Sequence, residues 1–177
     1  MLYRRFIACK EVTCQSTFYW IIKPFFGVCI KNGDFKEKNQ VLVILSGPEP
    51  QRTLFEKQIL ENAGRMDKEV IVLRGKPEGK YLGKEQKDHI MLLNHANDTE
   101  FFRLVKESKH IICRSGYSTI MDLATMGKTA LLIPTPGQTE QEYIARYLSA
   151  KKKFVYMSQK NFDMEKGIEM LEKLNVG

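Results

Sequence analysis

From residue 41 onward the sequence alternates short apolar runs with longer amphipathic stretches, and few architectures accept that order. The runs cover 41–46, 70–73, 89–93, 110–113, 129–134 and 154–157. Runs this short and continuously apolar fit parallel strands buried on both faces, and the stretches between them supply the crossover helices. Helices are expected over 52–63, 99–108, 118–126, 140–150 and 161–174, whereas 75–88 shows no helical period. The prediction is an α/β fold with a single doubly wound, Rossmann-like parallel sheet of about six strands and helices on both faces, occupying residues 41–177 of the 177.

Residues 1–40 fit no period. Aromatic side chains (Phe18, Tyr19, Trp20, Phe25, Phe26) cluster there and a polar stretch follows, so the segment reads as an irregular leader or linker. Its aromatic and lysine content suits either loose packing on the domain or an interface with a partner or a membrane face. The chain's net charge of +7 is mostly an N-terminal property, since residues 1–40 hold seven basic and three acidic side chains. The body mixes signs and shows no continuous basic stripe, which argues against nucleic acid as a partner. Four cysteines (Cys9, Cys14, Cys29, Cys113) lack zinc-knuckle spacing and read as reduced thiols of a cytoplasmic protein. The apolar stretch 16–30 is broken by Lys23-Pro24 and is too short to span a bilayer.

Topology turns this pattern into a site. In the common order 3-2-1-4-5-6 the chain reverses direction between the first and fourth strands, and ligands sit beyond their carboxyl ends. The loop after the first strand is Ser46-Gly47-Pro48-Glu49-Pro50, and that after the fourth is Arg114-Ser115-Gly116-Tyr117-Ser118. Two small, polar turns therefore face one crevice. Helix starts at Arg52 and Ser118 would aim backbone N–H groups into it, which favours a phosphate or diphosphate. Ser115, Ser118 and Thr119 add hydroxyls, and Arg114 and Arg52 add positive charge. Asp122, four residues after Ser118 on the same helical face, would repel a phosphate but accept from vicinal ribose hydroxyls. His95, in the loop after the third strand, can line the crevice where backbone groups hold a base. Each serine taken singly is more simply an N-cap, and the aspartate a solvated helical one. The combination at a switch point describes a nucleotide site. The three-glycine dinucleotide fingerprint and the Walker lysine are both absent, and the histidines form no metal cluster, so neither cofactor nor metal is expected.

Residues 114–134 resemble the donor-binding motif of the C-terminal domain in GT-B glycosyltransferases, specifically the family 28 C-terminal type that includes the peptidoglycan N-acetylglucosaminyltransferase acting on lipid I. The matching positions are Ser115, Gly116, Thr119 and Asp122, the last standing where the family usually has glutamate. Gly127-Lys128 before an apolar strand ending in Ile133-Pro134 is similar to the family's strand entry. Glu140-Gln141 resembles its pair on the sugar hydroxyls, although Ile144 replaces the asparagine that usually follows. Ser46-Gly47-Pro48 stands where Gly-Gly-Ser is common, and a proline has no N–H to offer a diphosphate.

The resemblance implies one half of a GT-B fold that binds a nucleotide-sugar, a UDP-sugar by analogy, and transfers a hexosyl group without a required metal. The acceptor and the catalytic base would come from an N-terminal domain that forty irregular residues cannot form. The expectation is a fragment, a truncated relative, or a donor-binding subunit needing an acceptor-binding chain, peripheral at the inner membrane face through its N-terminal segment. Alternatives are a non-catalytic module that keeps the fold, or a piece of a nucleotide-sugar 2-epimerase.

Overall fold

The computed structural model describes residues 35–76, 85–87 and 89–176, all within a compact unit that spans Asp34–Gly177. Reading along the chain, β1 (Lys38–Ile44) is followed by α1 (Gln51–Ala63), β2 (Val70–Leu73), β3 (Glu85–Lys87) and β4 (Ile90–Leu93). Next come α2 (Asp98–Glu107), β5 (Ser108–Cys113), α3 (Tyr117–Thr125) and β6 (Leu131–Leu132). Finally α4 (Thr139–Ala150), β7 (Val155–Tyr156), a 3-10 turn (Gln159–Asn161) and α5 (Met164–Val176) complete the domain.

The sheet order is β3-β4-β2-β1-β5-β6-β7. Six strands run parallel and reproduce the expected 3-2-1-4-5-6 order. β3 adds an antiparallel edge beside β4, with Glu85 opposite Leu92. Its sequence, Glu-Gln-Lys, has no apolar signature, so pattern reading passes over it; charged residues on an edge strand also discourage pairing with other chains.

Alternation along β1 divides the core. Val41, Val43 and Leu45 join Phe55 and Ile59 of α1 and Met164, Ile168 and Leu171 of α5 on one face. Leu42 and Ile44 join Leu104 and Val105 of α2, Ile120 and Leu123 of α3 and Ala145 of α4 on the other. With both faces covered, β1 and β5 stay buried to their carboxyl ends, where Ile44 pairs with Cys113. The turns that follow them are therefore neighbours at the edge of the sheet. Cys113 is a buried free thiol, pushed up to about 12 by loss of solvent. The other three cysteines and the N-terminal aromatic cluster lie outside the described residues. Among the described residues no helix is long and apolar enough to cross a membrane.

Candidate functional site

Two helices start at the same place. α3 begins at Tyr117 with Gly116 as an extended N-cap, and α4 begins at Thr139 with Gln138 as its N-cap. Gly116 has no side chain to cap α3 with, and the Gln138 side chain caps no main-chain N–H of α4. Between the two starts lies a pocket of about 360 Å³, lined by Ser115, Gly116 and Tyr117 on one side and by residues 137–141 on the other. That volume is at the lower end of the range for small-molecule sites. Uncapped helix starts leave N–H groups without intrahelical partners, and the dipoles of both helices add to the same positive potential.

Of the residues singled out from the sequence, Ser115, Gly116, Tyr117, Glu140 and Gln141 line this pocket together. Their side chains divide between facing the space and framing it. Ser115 is fully buried and its hydroxyl donates to the Gln141 carbonyl at 2.9 Å. The Gln141 side-chain oxygen accepts from the Thr135 N–H at 3.0 Å, while its amide nitrogen donates to the Gln138 side chain. Ser115 and Gln141 thus lock the α3 turn to the loop before α4 and fix the distance between the two helix starts.

Arg114 corrects an expectation. Instead of offering charge to a ligand, its side chain turns inward and is 1% exposed. One terminal nitrogen donates to the carbonyls of Ile133 and Pro134 (both 3.2 Å) and to the Gln159 side chain (2.7 Å), and the other donates to the Gln51 carbonyl (3.1 Å). The guanidinium also lies 4.2 Å from the centre of the Phe55 ring. Loss of solvent pulls its pKa down to about 10. Arg114 is a pin that joins the loops after β5 and β6 to the start of α1 and to the 3-10 turn. Arg52 is likewise committed, to the Glu49 carboxylate and to the Arg74 carbonyl.

The other expected residues lie around the pocket rather than in its wall. Gly47 has φ +104°, a conformation that favours glycine. A Cβ there would stand 3.6 Å from the Thr135 hydroxyl, so the first loop abuts the floor beneath Gln141. Ser46 precedes it, half-buried. Ser118 and Thr119 occupy the first turn of α3. Asp122 follows, half-buried, and both loss of solvent and the charge of Asp98 push its carboxyl up. Asp98 is the first residue of α2, so Asp122 lies within electrostatic reach of the α2 start that follows the His95 loop. His95 itself is exposed at the end of β4, separated from β1 by β2.

α1 behaves differently from α3 and α4. Pro50 is its N-cap and contributes no N–H, the Arg52 N–H is taken by the Pro48 carbonyl at 3.1 Å, and the Thr53 N–H donates to the Glu49 carboxylate at 3.2 Å. Hydrogen bonding by Thr53, with a smaller contribution from Arg52, holds Glu49 below the usual carboxylate range. Sequence reasoning missed this, and it missed Gly137, Gln138 and Thr139 as pocket wall. The signal was present for the second group, because Pro136-Gly137 is a turn dipeptide directly before a helix start.

Comparison with known proteins gives a consistent picture. Residues 39–176 match the model of the glycosyltransferase family 28 C-terminal domain. A UDP-N-acetylglucosamine–N-acetylmuramyl-(pentapeptide) pyrophosphoryl-undecaprenol N-acetylglucosamine transferase of Caldanaerobacter subterraneus is 26% identical over 115 residues, 60% of this chain and 31% of that protein. Among solved structures, the glycosyltransferase SnogD of Streptomyces nogalater superposes with a TM-score of 0.58 at 14% identity, covering 77% of this chain and 35% of that one. Acinetobacter baumannii MurG gives 0.53 at 19% identity, covering 78% and 42%. At these identities the structural matches speak to the fold. This chain spans between about a third and two fifths of the length of these relatives.

Proposed function

The chain belongs to the glycosyltransferase family 28 C-terminal domain family, and from that premise we propose that its pocket binds the diphosphate-sugar portion of a nucleotide-sugar donor. The observation that carries this reading is the convergence of the uncapped starts of α3 and α4 on one pocket. Charge divides the pocket. Glu140 and Glu142 lie in the first turn of α4, whereas α3 has no acidic residue in its first turn. Phosphate therefore belongs at the α3 end, against Gly116, Tyr117, Ser118 and Thr119, and the sugar hydroxyls belong beside Glu140 and Gln141. Asp122, one turn beyond the phosphate and within electrostatic reach of the α2 start, takes the ribose hydroxyls, and the His95 loop before that start borders the base.

The chemistry assigned to this half is electrostatic. As the glycosidic bond to the diphosphate breaks, negative charge grows on the leaving phosphate, and fixed N–H groups already aimed at that place stabilise it without reorganising. The acceptor is held by another domain or chain, which also brings the catalytic base. A UDP-sugar is the donor favoured by resemblance and by the name of the curated relative. The aromatic N-terminal segment is assigned to docking that partner or a membrane face.

Calorimetric titration of the full chain with UDP, dTDP and GDP and with UDP-N-acetylglucosamine tests the reading. Binding of one nucleotide series is expected, and Asp122→Asn should weaken it by about 10- to 100-fold, the worth of hydrogen bonds to a charged acceptor. Failure of all four ligands to bind, or unchanged affinity in D122N, would refute the site as drawn.

A further inference from the structure

The β1–α1 loop sits at the switch point beside the β5–α3 turn, where a phosphate-binding fold commonly presents a second helix start to its ligand. Here that start is already occupied. Pro48 and Pro50 bring no N–H groups, the Arg52 N–H is bonded to the Pro48 carbonyl, and the Thr53 N–H is bonded to the Glu49 carboxylate. Glu49 also receives the Arg52 guanidinium, and Arg52 is further tied to the Arg74 carbonyl at 3.2 Å and approaches Glu56 at 3.8 Å. The Thr53 N–H and the Arg52 cation are thus spent on a side chain of the same loop, and the Arg52 N–H on its main chain.

The loop also adjoins the donor pocket through two connections. Gly47 faces Thr135, whose N–H is bonded to Gln141 of the pocket wall. Arg114, next to Ser115, bonds the carbonyl of Gln51 at the first position of α1. The Glu49 carboxylate, paired with Arg52 and bonded by the Thr53 N–H, therefore holds the place at the start of α1 that a ligand phosphate would take.

We propose that Glu49 is a resident anion: it stands in for a ligand phosphate at α1, confines the donor's phosphates to the α3–α4 pocket, and lowers what a second phosphate adds to binding. The inference rests on the donor-site reading above and assigns Glu49 as a specificity-determining residue of that site. It makes the affinity of this chain depend more on nucleoside and sugar than on phosphate count.

The test is calorimetry of the full chain with UMP and UDP, comparing wild type with Glu49→Gln and Glu49→Ala. Glutamine keeps an acceptor for the Thr53 N–H and removes only the charge, and alanine removes both. In the wild type UDP should bind more tightly than UMP by what the α3 and α4 starts alone supply. In E49Q and E49A the advantage of UDP over UMP should grow by roughly two- to fivefold, the size of one charge interaction at an exposed helix end, while UMP stays unchanged. The gain should shrink as salt is raised. If UDP binds but its advantage over UMP is unchanged or reduced in E49Q, the role of Glu49 is overturned and the donor site stands. If neither nucleotide binds wild type or variants that retain their thermal transition, the donor-site reading falls and this inference falls with it.

Discussion

Replacing Arg114 by methionine tests whether the pocket is held by a buried cation. The guanidinium is 1% exposed and donates to three main-chain carbonyls, of Gln51, Ile133 and Pro134, and to the side chain of Gln159. Its recorded partners include no carboxylate, so removing it strands no countercharge; what it strands is four acceptors. Each acceptor left buried without a donor costs about 1–3 kcal/mol, and an opposing gain comes from no longer desolvating a charge. Methionine matches much of the volume and keeps a contact with Phe55 worth about 1 kcal/mol. Taking about 1 kcal/mol for each of the four acceptors and about 1 kcal/mol for the opposing gain, the net loss is about 3 kcal/mol. At about 3 °C per kcal/mol for a domain of this size, the thermal midpoint should fall by roughly 10 °C. Urea unfolding followed by circular dichroism gives the free energy directly. Arg114→Lys keeps the charge but not the planar fork that reaches three carbonyls and an amide at once, and should recover less than half of the loss. A methionine variant within 1 kcal/mol of wild type would refute the pin, and a lysine variant indistinguishable from wild type would show that charge, not geometry, is what matters.

Asp122 is disfavoured as a charge by loss of solvent and by Asp98. Its folded pKa is raised, so its contribution to stability is complete below the unfolded value and is lost as pH rises through the folded one. Asp122→Asn should therefore melt at or above the wild-type temperature at pH 7 and lose that advantage on acidification, a profile that differential scanning calorimetry reads. Cys113 carries the same sign: the thiol ionises near 9.0 unfolded and near 12 folded, so wild type should lose stability relative to Cys113→Ala as pH climbs from 9 towards 12. Mass spectrometry should find the residue resistant to iodoacetamide at pH 8 until the chain is unfolded. Gly167 lies inside α5, and a Cβ there would run into the side chain of Leu131. Gly167→Ala gains about 1 kcal/mol in helix propensity and loses about 1–3 kcal/mol to overpacking, so denaturation should show a net loss that Leu131→Val relieves.

The strand order could be read from the sequence because a parallel sheet buried on both faces writes itself as continuous apolar runs. Val41, Leu42, Val43 and Ile44 are all buried, and no polar residue interrupts them. β3 could not be read that way, since its Glu-Gln-Lys sequence carries no apolar run and its pairing with β4 leaves no mark in the pattern. Helix starts fell within a few residues for a similar reason. The apolar period identifies a helix body, and the cap is set by loop geometry that composition does not record.

The site was legible in position and less so in role. The small, polar turn after a switch-point strand reads as the approach of a ligand, and Ser115, Gly116 and Tyr117 line a pocket there. That polarity has two uses, and sequence does not separate them. A loop crowded against other loops must satisfy its own carbonyls, and the same hydroxyl or guanidinium that could meet a phosphate can instead be spent on the Gln141 or Ile133 carbonyl. Which use wins depends on packing density at the sheet edge. Just before α3 the Arg114 and Ser115 side chains turned inward, and the N-cap is Gly116, which has no side chain to cap with. At α1 the polar residue turned back on its own helix, and Glu49 closed the end that pattern reasoning had left open. The two helix starts at one switch point are thus opposite in kind, and the asymmetry follows from a single difference in loop chemistry. Glycine at Gly116 leaves the α3 start uncapped, whereas the Pro48-Glu49-Pro50 sequence removes N–H groups and supplies a carboxylate in their place.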